Sequence, residues 1–300
     1  NMKLPFISDP FEPGSIFKIL TVSSALENKV ATKETNYYCE KGEFNVQGHL
    51  INEAESKNKY EWLTIKEIIR YSSNIGTTKV AFDLTLPRLK KTLEKFKIGK
   101  KTGIELPGES RGIFKFKNNA SPIRLSNLSF GQGVATTAIQ MLSAYAAIAN
   151  GGVYLSPTVL KGGNKDKNGV RIISKETAAV LEEMLVDAVY NGTGKGAQVD
   201  HFQIAGKTST AQKPSKKGGY EGYIPGFIGY PVNIQNRFVV YVYIDSPSSK
   251  KYYGNLVAAP IFKKITQYIL FKDKEYYKFA LKKDGKKIEL QDRVTMKDSS

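Results

Sequence analysis

Ser15 and Lys18 stand three residues apart in Glu12-Pro13-Gly14-Ser15-Ile16-Phe17-Lys18. At the start of a helix this spacing puts the hydroxyl and the amine on one face, about 5–6 Å apart. A serine hydroxyl is a poor nucleophile until a base takes its proton, and a lysine desolvated among apolar neighbours can lose its own proton and become that base. The helix N-terminus also favours the anion that forms at a reaction centre. The same spacing recurs at Ser56–Lys59 and Ser248–Lys251, both of which read as polar loop residues. Only Ser15 follows a Pro-Gly turn and leads into an apolar helix, where the turn can present the hydroxyl to a cleft.

Two other groups of residues can take part in such chemistry. In Ser72-Ser73-Asn74 the first hydroxyl can relay a proton between the base and a leaving amine, and the Asn74 amide can both donate to and accept from a peptide. Taken alone, these three residues read more simply as the polar turn that ends a helix. Lys-Thr-Gly occurs literally at Lys101-Thr102-Gly103 and in altered form at Lys207-Thr208-Ser209-Thr210. The altered form lies in the alternating run IAGKTSTAQ, a strand whose edge can line a cleft with hydroxyls, an ammonium and free N–H groups. Lys101 leads instead into GIELPG, a loop sequence.

The elements that must position these groups follow from periodicity. A core-facing helix begins near Ser15 in residues 13–30, a second spans about Thr64–Tyr71, and 76–98 and 135–150 read as helices joined by the excursion TGIELPGESRGIF. Residues 35–60 suggest loops with short strands. Ser174 caps a helix over 174–191 that stops at Gly192. After residue 200 three alternating runs form an antiparallel meander, closed by a helix over Leu256–Leu270. The fold class is therefore α+β: a helical lobe over about 14–199, a sheet lobe over about 200–270 and a cleft between them, with residues 271–300 a charged tail.

Composition narrows the function. Forty-five Lys and Arg against 28 Asp and Glu give a net charge of +17, which favours acidic partners such as nucleic acid, anionic lipid or cell-wall polymer. The basic residues are scattered and no nucleic-acid-binding pattern accompanies them, so a solvated Lys-rich face accounts for the excess and no nucleic-acid partner is expected. One cysteine excludes an intrachain disulfide, and with two histidines no HExxH or Cys/His zinc set can be written. Cys39 reads as a small buried hydrophobe. No signal peptide or membrane-spanning run is present, and the greasy stretch 134–155 reads as a buried helix.

In chain order, S-x-x-K, S-x-N and K-T-x-T resemble the penicillin-recognising serine transpeptidases and β-lactamases. EPGSIFK, TGIELPGE, LSFGQG with AYAAIANGG, GTGKGA before the K-T-S-T strand and YYGNLVAAPIF look more specifically like class B penicillin-binding proteins, over residues 11 to about 265. EPGS is more like the division-associated branch. The resemblance implies the penicillin-binding/serine transpeptidase fold, with an antiparallel sheet flanked by helices, and a transpeptidase domain over 1–270. It implies no cofactor and no metal.

For the residues, the resemblance implies that Ser15 attacks the penultimate D-alanine of a peptidoglycan stem, Lys18 is the general base and Ser72 passes the proton to the leaving amine. Asn74 would hold the substrate amide. Lys207 would tie Ser72 and the substrate carboxylate electrostatically, Thr208 and Thr210 would bond that carboxylate, and the N–H groups of Ser15 and Thr210 would form the oxyanion hole. Expected partners are stem peptides, β-lactam antibiotics, a glycan polymerase and division proteins. The expected location is the outer face of the cytoplasmic membrane, through an anchor outside this chain.

The family alternatives are a β-lactamase, a D,D-carboxypeptidase, a β-lactam sensor or a non-catalytic cell-wall-binding module. No E-x-x-L-N stretch supplies a deacylating base, and Tyr253-Gly254-Asn255, which imitates a class D signature, follows the K-T-x-T strand instead of preceding it. Two departures from the family pattern stand out. Ser209 replaces a glycine, so its β-carbon either crowds the cleft or is small enough to be tolerated. The family's sheet also has two strands upstream of the nucleophile, whereas fourteen residues precede Ser15 and include Pro5, Pro10 and Pro13. The domain is expected to lack those strands and to leave an open sheet edge beside RFVVYVYID.

Overall fold

In the computed structural model, which describes residues 3–276 apart from 56, 118, 162–168, 215–218, 248–252 and 273–275, the chain opens with one helical turn, α1 (Pro5–Ser8). A 3-10 turn, Gly14–Phe17, then runs without a break into α2 (Lys18–Glu27). Every α2 residue from Lys18 to Ala25 is buried, so this helix is the centre of the helical lobe. Short ribbons follow: β1 (Asn36–Tyr38), the hairpin β2 (Glu43–Val46) to β3 (His49–Asn52), and β4 (Trp62–Thr64), which pairs back on β1. The hairpin turn takes the positive φ that a two-residue loop demands at Gln47 and Gly48, and Gly48 N–H donates to the Asn45 side chain at 2.8 Å.

Thr64 starts α3 (Ile65–Tyr71) with a capping box, its hydroxyl accepting from the Glu67 N–H while the Glu67 carboxylate accepts from the Thr64 N–H. The single helix expected over 76–98 is instead two, α4 (Asn74–Leu84) and α5 (Leu86–Lys95). Thr85 between them adopts φ +68°, and Pro87 falls in the first turn of α5, where a missing N–H costs nothing. Inside one continuous helix the Pro87 ring would clash with the carbonyl four residues back, so the chain breaks ahead of it. After that excursion and before the next expected helix lies α6 (Pro122–Ser129), which the periodicity did not show, entered through Pro122 at its first position.

Next come α7 (Ala138–Ala149), the two-residue strands β5 (Val153–Tyr154) and β6 (Val170–Arg171), and α8 (Lys175–Tyr190). Ser174 caps α8 as expected, accepting from the Thr177 N–H at 3.0 Å. The meander is β7 (Ile204–Pro214), β8 (Tyr220–Pro231) and β9 (Val240–Tyr243), antiparallel in that spatial order, and α9 (Gly254–Lys272) closes it.

Strand alternation gives the sheet two apolar faces. Ala205, Ile228 and Tyr230 join the core built by α2, α7 and α8, whereas Ile204 and Phe227 join a second core with α9, where the Phe227 and Phe262 rings lie 4.6 Å apart. Each fully buried large apolar side chain contributes about 1.5–3 kcal/mol, so both faces of the sheet are held firmly. The outer edge of β7 is thereby a rigid cleft wall. The described residues before Ser15 form no strand: Phe11 makes a single bridge to Thr136 and its ring stacks on Tyr243 at 5.1 Å. Beyond β9 no further strand pairs with the sheet among the described residues. None of their helices is long and apolar enough to cross a membrane. Of the tail expected over 271–300, Phe271, Lys272 and Tyr276 are described and the rest lies outside the described residues.

Candidate active site

Ser15 lies in the 3-10 turn and faces a cleft of about 1660 Å3 that Ser72, Asn74, Thr208, Ser209 and Thr210 also line. The turn is fixed from below and from the side. Gly14 takes φ +58° and donates to the Gly131 carbonyl, while a β-carbon on Gly131 would fall 2.4 Å from the Gly14 oxygen. The LSFGQG segment therefore needs glycine to pack against the nucleophile turn. The Tyr145 hydroxyl donates to the Ile16 carbonyl at 2.9 Å, and Ile16 and Phe17 are fully buried.

Lys18, the first residue of α2, is fully buried beneath the cleft floor. Its ammonium donates to the Ser72 hydroxyl at 3.2 Å and to the Ser72 carbonyl. Burial pushes its pKa from 10.5 down to about 7, with the Glu53 carboxylate acting in the opposite direction. Ser72 ends α3 at φ +61°, in the left-handed region, and Ser73 caps α4 by accepting from the Gly76 N–H at 2.9 Å. The sequence alone favoured a helix-ending turn at Ser72–Asn74, and that turn is present. It also presents Ser72 to Lys18.

The third group comes from β7. Lys207 is 1% exposed, and burial together with the charge of Lys18 holds its pKa well below the usual lysine range. Lys207 donates to the Thr208 carbonyl at 3.4 Å, and Ser72 accepts from Lys18 at 3.2 Å. Lys207 lies on β7 beneath the cleft wall. The Thr208 hydroxyl pairs with that of Thr193 at 2.9 Å, and the Thr210 hydroxyl accepts from the Gly254 N–H at 3.3 Å.

Strand register orients the β7 backbone. Thr210 is opposite Pro225, whose carbonyl accepts from Ile244 on the β9 side. This is a non-hydrogen-bonded pair of the β7–β8 ladder, so the Thr210 N–H points out of the open edge of β7 into the cleft. Ser209 is 3% exposed, and its Oγ lies 2.7 Å from where a β-carbon on Gly226 would sit. The room for the serine is the side chain that Gly226 lacks.

The other candidate motifs separate clearly. Thr102 of the literal Lys-Thr-Gly is buried and donates through its N–H and hydroxyl to Glu109, both at 2.6 Å, closing its own loop. Lys59 is paired with Glu43, while Ser56, Ser248 and Lys251 lie outside the described residues. The Cys39 thiol is buried, which pushes its pKa up to about 11. Two residues that pattern reasoning missed contact the site: Thr193, from the GTGKGA stretch, and Glu53, whose loop sequence Asn52-Glu53-Ala54-Glu55 has no period to single it out.

The penicillin binding protein transpeptidase domain matches residues 1–267. Stage V sporulation protein D of Bacillus subtilis is 34% identical over 274 residues, covering 87% of this chain and 42% of that protein. Peptidoglycan D,D-transpeptidase FtsI of Escherichia coli is 32% identical over 258 residues, covering 85% of this chain and 43% of its own length. The chain thus spans less than half the length of these two curated relatives. Among solved structures, the transpeptidase domain of Burkholderia pseudomallei penicillin-binding protein 3 superposes with a TM-score of 0.81 at 31% identity, covering 88% of this chain and 80% of that one. Mycobacterium tuberculosis penicillin-binding protein 3, solved in complex with aztreonam, gives 0.83 at 29% identity over 94% and 66% of the two chains.

Proposed function

This chain belongs to the penicillin-binding protein transpeptidase family, and on that footing we propose that it is a peptidoglycan D,D-transpeptidase working through an acyl-enzyme on Ser15. The observation that carries the reading is Lys18. It is buried one turn after Ser15, bonded to Ser72, and has a pKa near 7 that makes it a usable base at neutral pH.

Ser15 Oγ attacks the carbonyl carbon of the penultimate D-alanine while Lys18 accepts the hydroxyl proton. The new C–O bond forms, the C–N bond to the terminal D-alanine breaks, and the proton passes from Lys18 through the Ser72 hydroxyl to the departing amine. The N–H groups of Ser15 and Thr210 stabilise the oxyanion. Asn74 aligns the substrate amide. Thr208 and Thr210 address the substrate carboxylate, with the Lys207 amine beneath them. An amine from a neighbouring stem then attacks the ester carbonyl, loses its proton to the Ser72–Lys18 pair, and expels Ser15 as that proton returns to Oγ. A β-lactam carbonyl enters in place of the D-alanine carbonyl.

We infer that this chemistry takes place in the bacterial cell envelope, on the outer face of the cytoplasmic membrane, beside a glycan polymerase and division proteins. The similarity to FtsI agrees with the division-type branch that EPGS suggested. Incubation with a fluorescent penicillin, followed by intact-mass analysis and peptide mapping, tests the reading. A stable adduct on Ser15 is expected. Rapid turnover of the adduct would make the chain a β-lactamase, and no adduct would overturn the acyl-enzyme. Supplying a stem pentapeptide with an acceptor amine separates cross-linked from hydrolysed product.

A further inference from the structure

The carboxylate of Glu53 belongs to none of the three motifs, yet it is bonded to the centre of one. It is 7% exposed, follows directly on β3, and both of its oxygens go to the turn between α3 and α4. Oε1 accepts from the Ser73 hydroxyl at 2.5 Å and Oε2 accepts from the Asn74 N–H at 2.7 Å. The neighbouring Asn52 carbonyl accepts from the Asn74 side-chain amide at 2.8 Å. Residues 52 and 53 therefore hold Ser73 and Asn74 through three hydrogen bonds.

What this clamp controls is the residue before it. Ser72 has φ +61° and ψ +38°, a left-handed conformation that a residue with a β-carbon keeps only where its surroundings impose it. In that conformation both its carbonyl and its hydroxyl receive the Lys18 ammonium. If the turn relaxed, Ser72 would swing off Lys18 and the proton path between them would open.

We infer that Glu53 is a positioning residue for acylation, clamping Ser73 and Asn74 so that Ser72 stays in its left-handed turn against Lys18. This rests on the acyl-enzyme chemistry proposed above. The Glu53 charge has a second effect, since it raises the pKa of Lys18 against the lowering by burial. The other amine facing Lys18 is Lys207 from β7, whose own pKa burial holds well below the usual lysine range. Tyr60 and Cys39 also sit near Glu53, but burial raises both pKa values, to about 12 and about 11, so neither carries charge at neutral pH.

Glu53→Gln keeps the size but removes the charge and places an NH2 group against one of the two donors. Acylation by a fluorescent penicillin, followed from pH 5 to 9, is expected to lose roughly tenfold or more from its high-pH plateau. The midpoint of its rise with pH is expected to fall by roughly half a unit or more, because losing a nearby anion favours the neutral amine. A wild-type rate and midpoint would overturn the inference. So would a slower rate with an unmoved midpoint, since that is what a merely structural residue gives. If Glu53→Gln fails to fold, Glu53→Asp is read instead: with the charge kept and the reach shortened, a lower plateau at an unmoved midpoint supports the clamp and a wild-type plateau refutes it. If the wild-type protein itself does not acylate, the functional reading fails separately. An NMR titration of Lys18 still decides the inference in that case, because an unchanged Lys18 midpoint in Glu53→Gln would sink it.

Discussion

Replacing Lys18 with Met is expected to abolish acylation and to stabilise the fold in the same variant. Lys18 is fully buried and titrates at about 7, against 10.5 for an ordinary lysine. Between those values the unfolded chain holds a proton at this site that the folded chain has released, so the wild type gains stability as pH rises from 7 toward 10.5. Below pH 7 it bears the whole cost of burying the charge. At about 1.4 kcal/mol per pH unit, that cost is roughly 5 kcal/mol at pH 6, 4 at pH 7 and 2 at pH 9. Against it stand the two hydrogen bonds to Ser72, whose loss costs about 1–3 kcal/mol together. Methionine fills the volume of the lysine stem without overpacking. Lys18→Met is therefore expected to be more stable than wild type by roughly 2 kcal/mol at pH 7 and level with it near pH 9. In thermal unfolding that is a Tm raised by about 4–6 °C at neutral pH, shrinking as pH rises. Circular dichroism melts of both proteins at pH 6, 7, 8 and 9 provide the measurement. Parallel pH dependence, or a variant that is less stable at pH 6, would mean that Lys18 titrates near its ordinary value and is not a base at neutral pH.

Ser15→Ala should abolish labelling by fluorescent penicillin, whereas Ser56→Ala and Ser248→Ala should label normally; an adduct mapped to any other residue refutes Ser15 as nucleophile. Wild-type acylation should rise about tenfold between pH 6 and pH 8 with a half-maximum near 7, following the neutral fraction of Lys18, and a flat profile would remove Lys18 as the base. Ser209→Gly should change acylation by less than about threefold for small and bulky β-lactams alike, because the serine already occupies room left by Gly226; a large acceleration for bulky drugs alone would show crowding. Gly226→Ala puts a β-carbon 2.7 Å from Ser209 Oγ and should cost about 1–3 kcal/mol in urea unfolding, with Ser209→Gly in the same chain recovering most of it. No recovery in the double variant would show that the two positions do not share that space.

Local signals carried most of the fold into view. Ser174, and Thr64 with Glu67, announce helix starts through bonds made within one turn, and the alternation after residue 200 reflects a sheet whose two faces enter different cores. Pro87 is such a signal too: the steric rule that its ring imposes on the preceding turn outweighs the apolar period that runs on either side of it, so one expected helix is two. The candidate site divides along the same line. Ser15–Lys18 is legible because one 3-10 turn and one helix position both residues. The turn at Ser72–Asn74 is legible as a turn, but what aims it is Glu53, twenty residues earlier in sequence than Ser73 and bonded to it across the cleft floor.

Ser209 takes this furthest. Read one position at a time, a serine where the family has glycine is a defect in the strand, and both crowding and tolerance remain open. The ladder settles which groups meet, because register places Ser209 directly opposite Gly226, and it is this glycine, on the neighbouring strand, that leaves space for the hydroxyl. The missing side chain at 226 leaves room for the hydroxyl at 209 without overpacking, which is the condition under which a close-packed interior accepts an added group. That room is visible only once the pairing register of β7 and β8 is known.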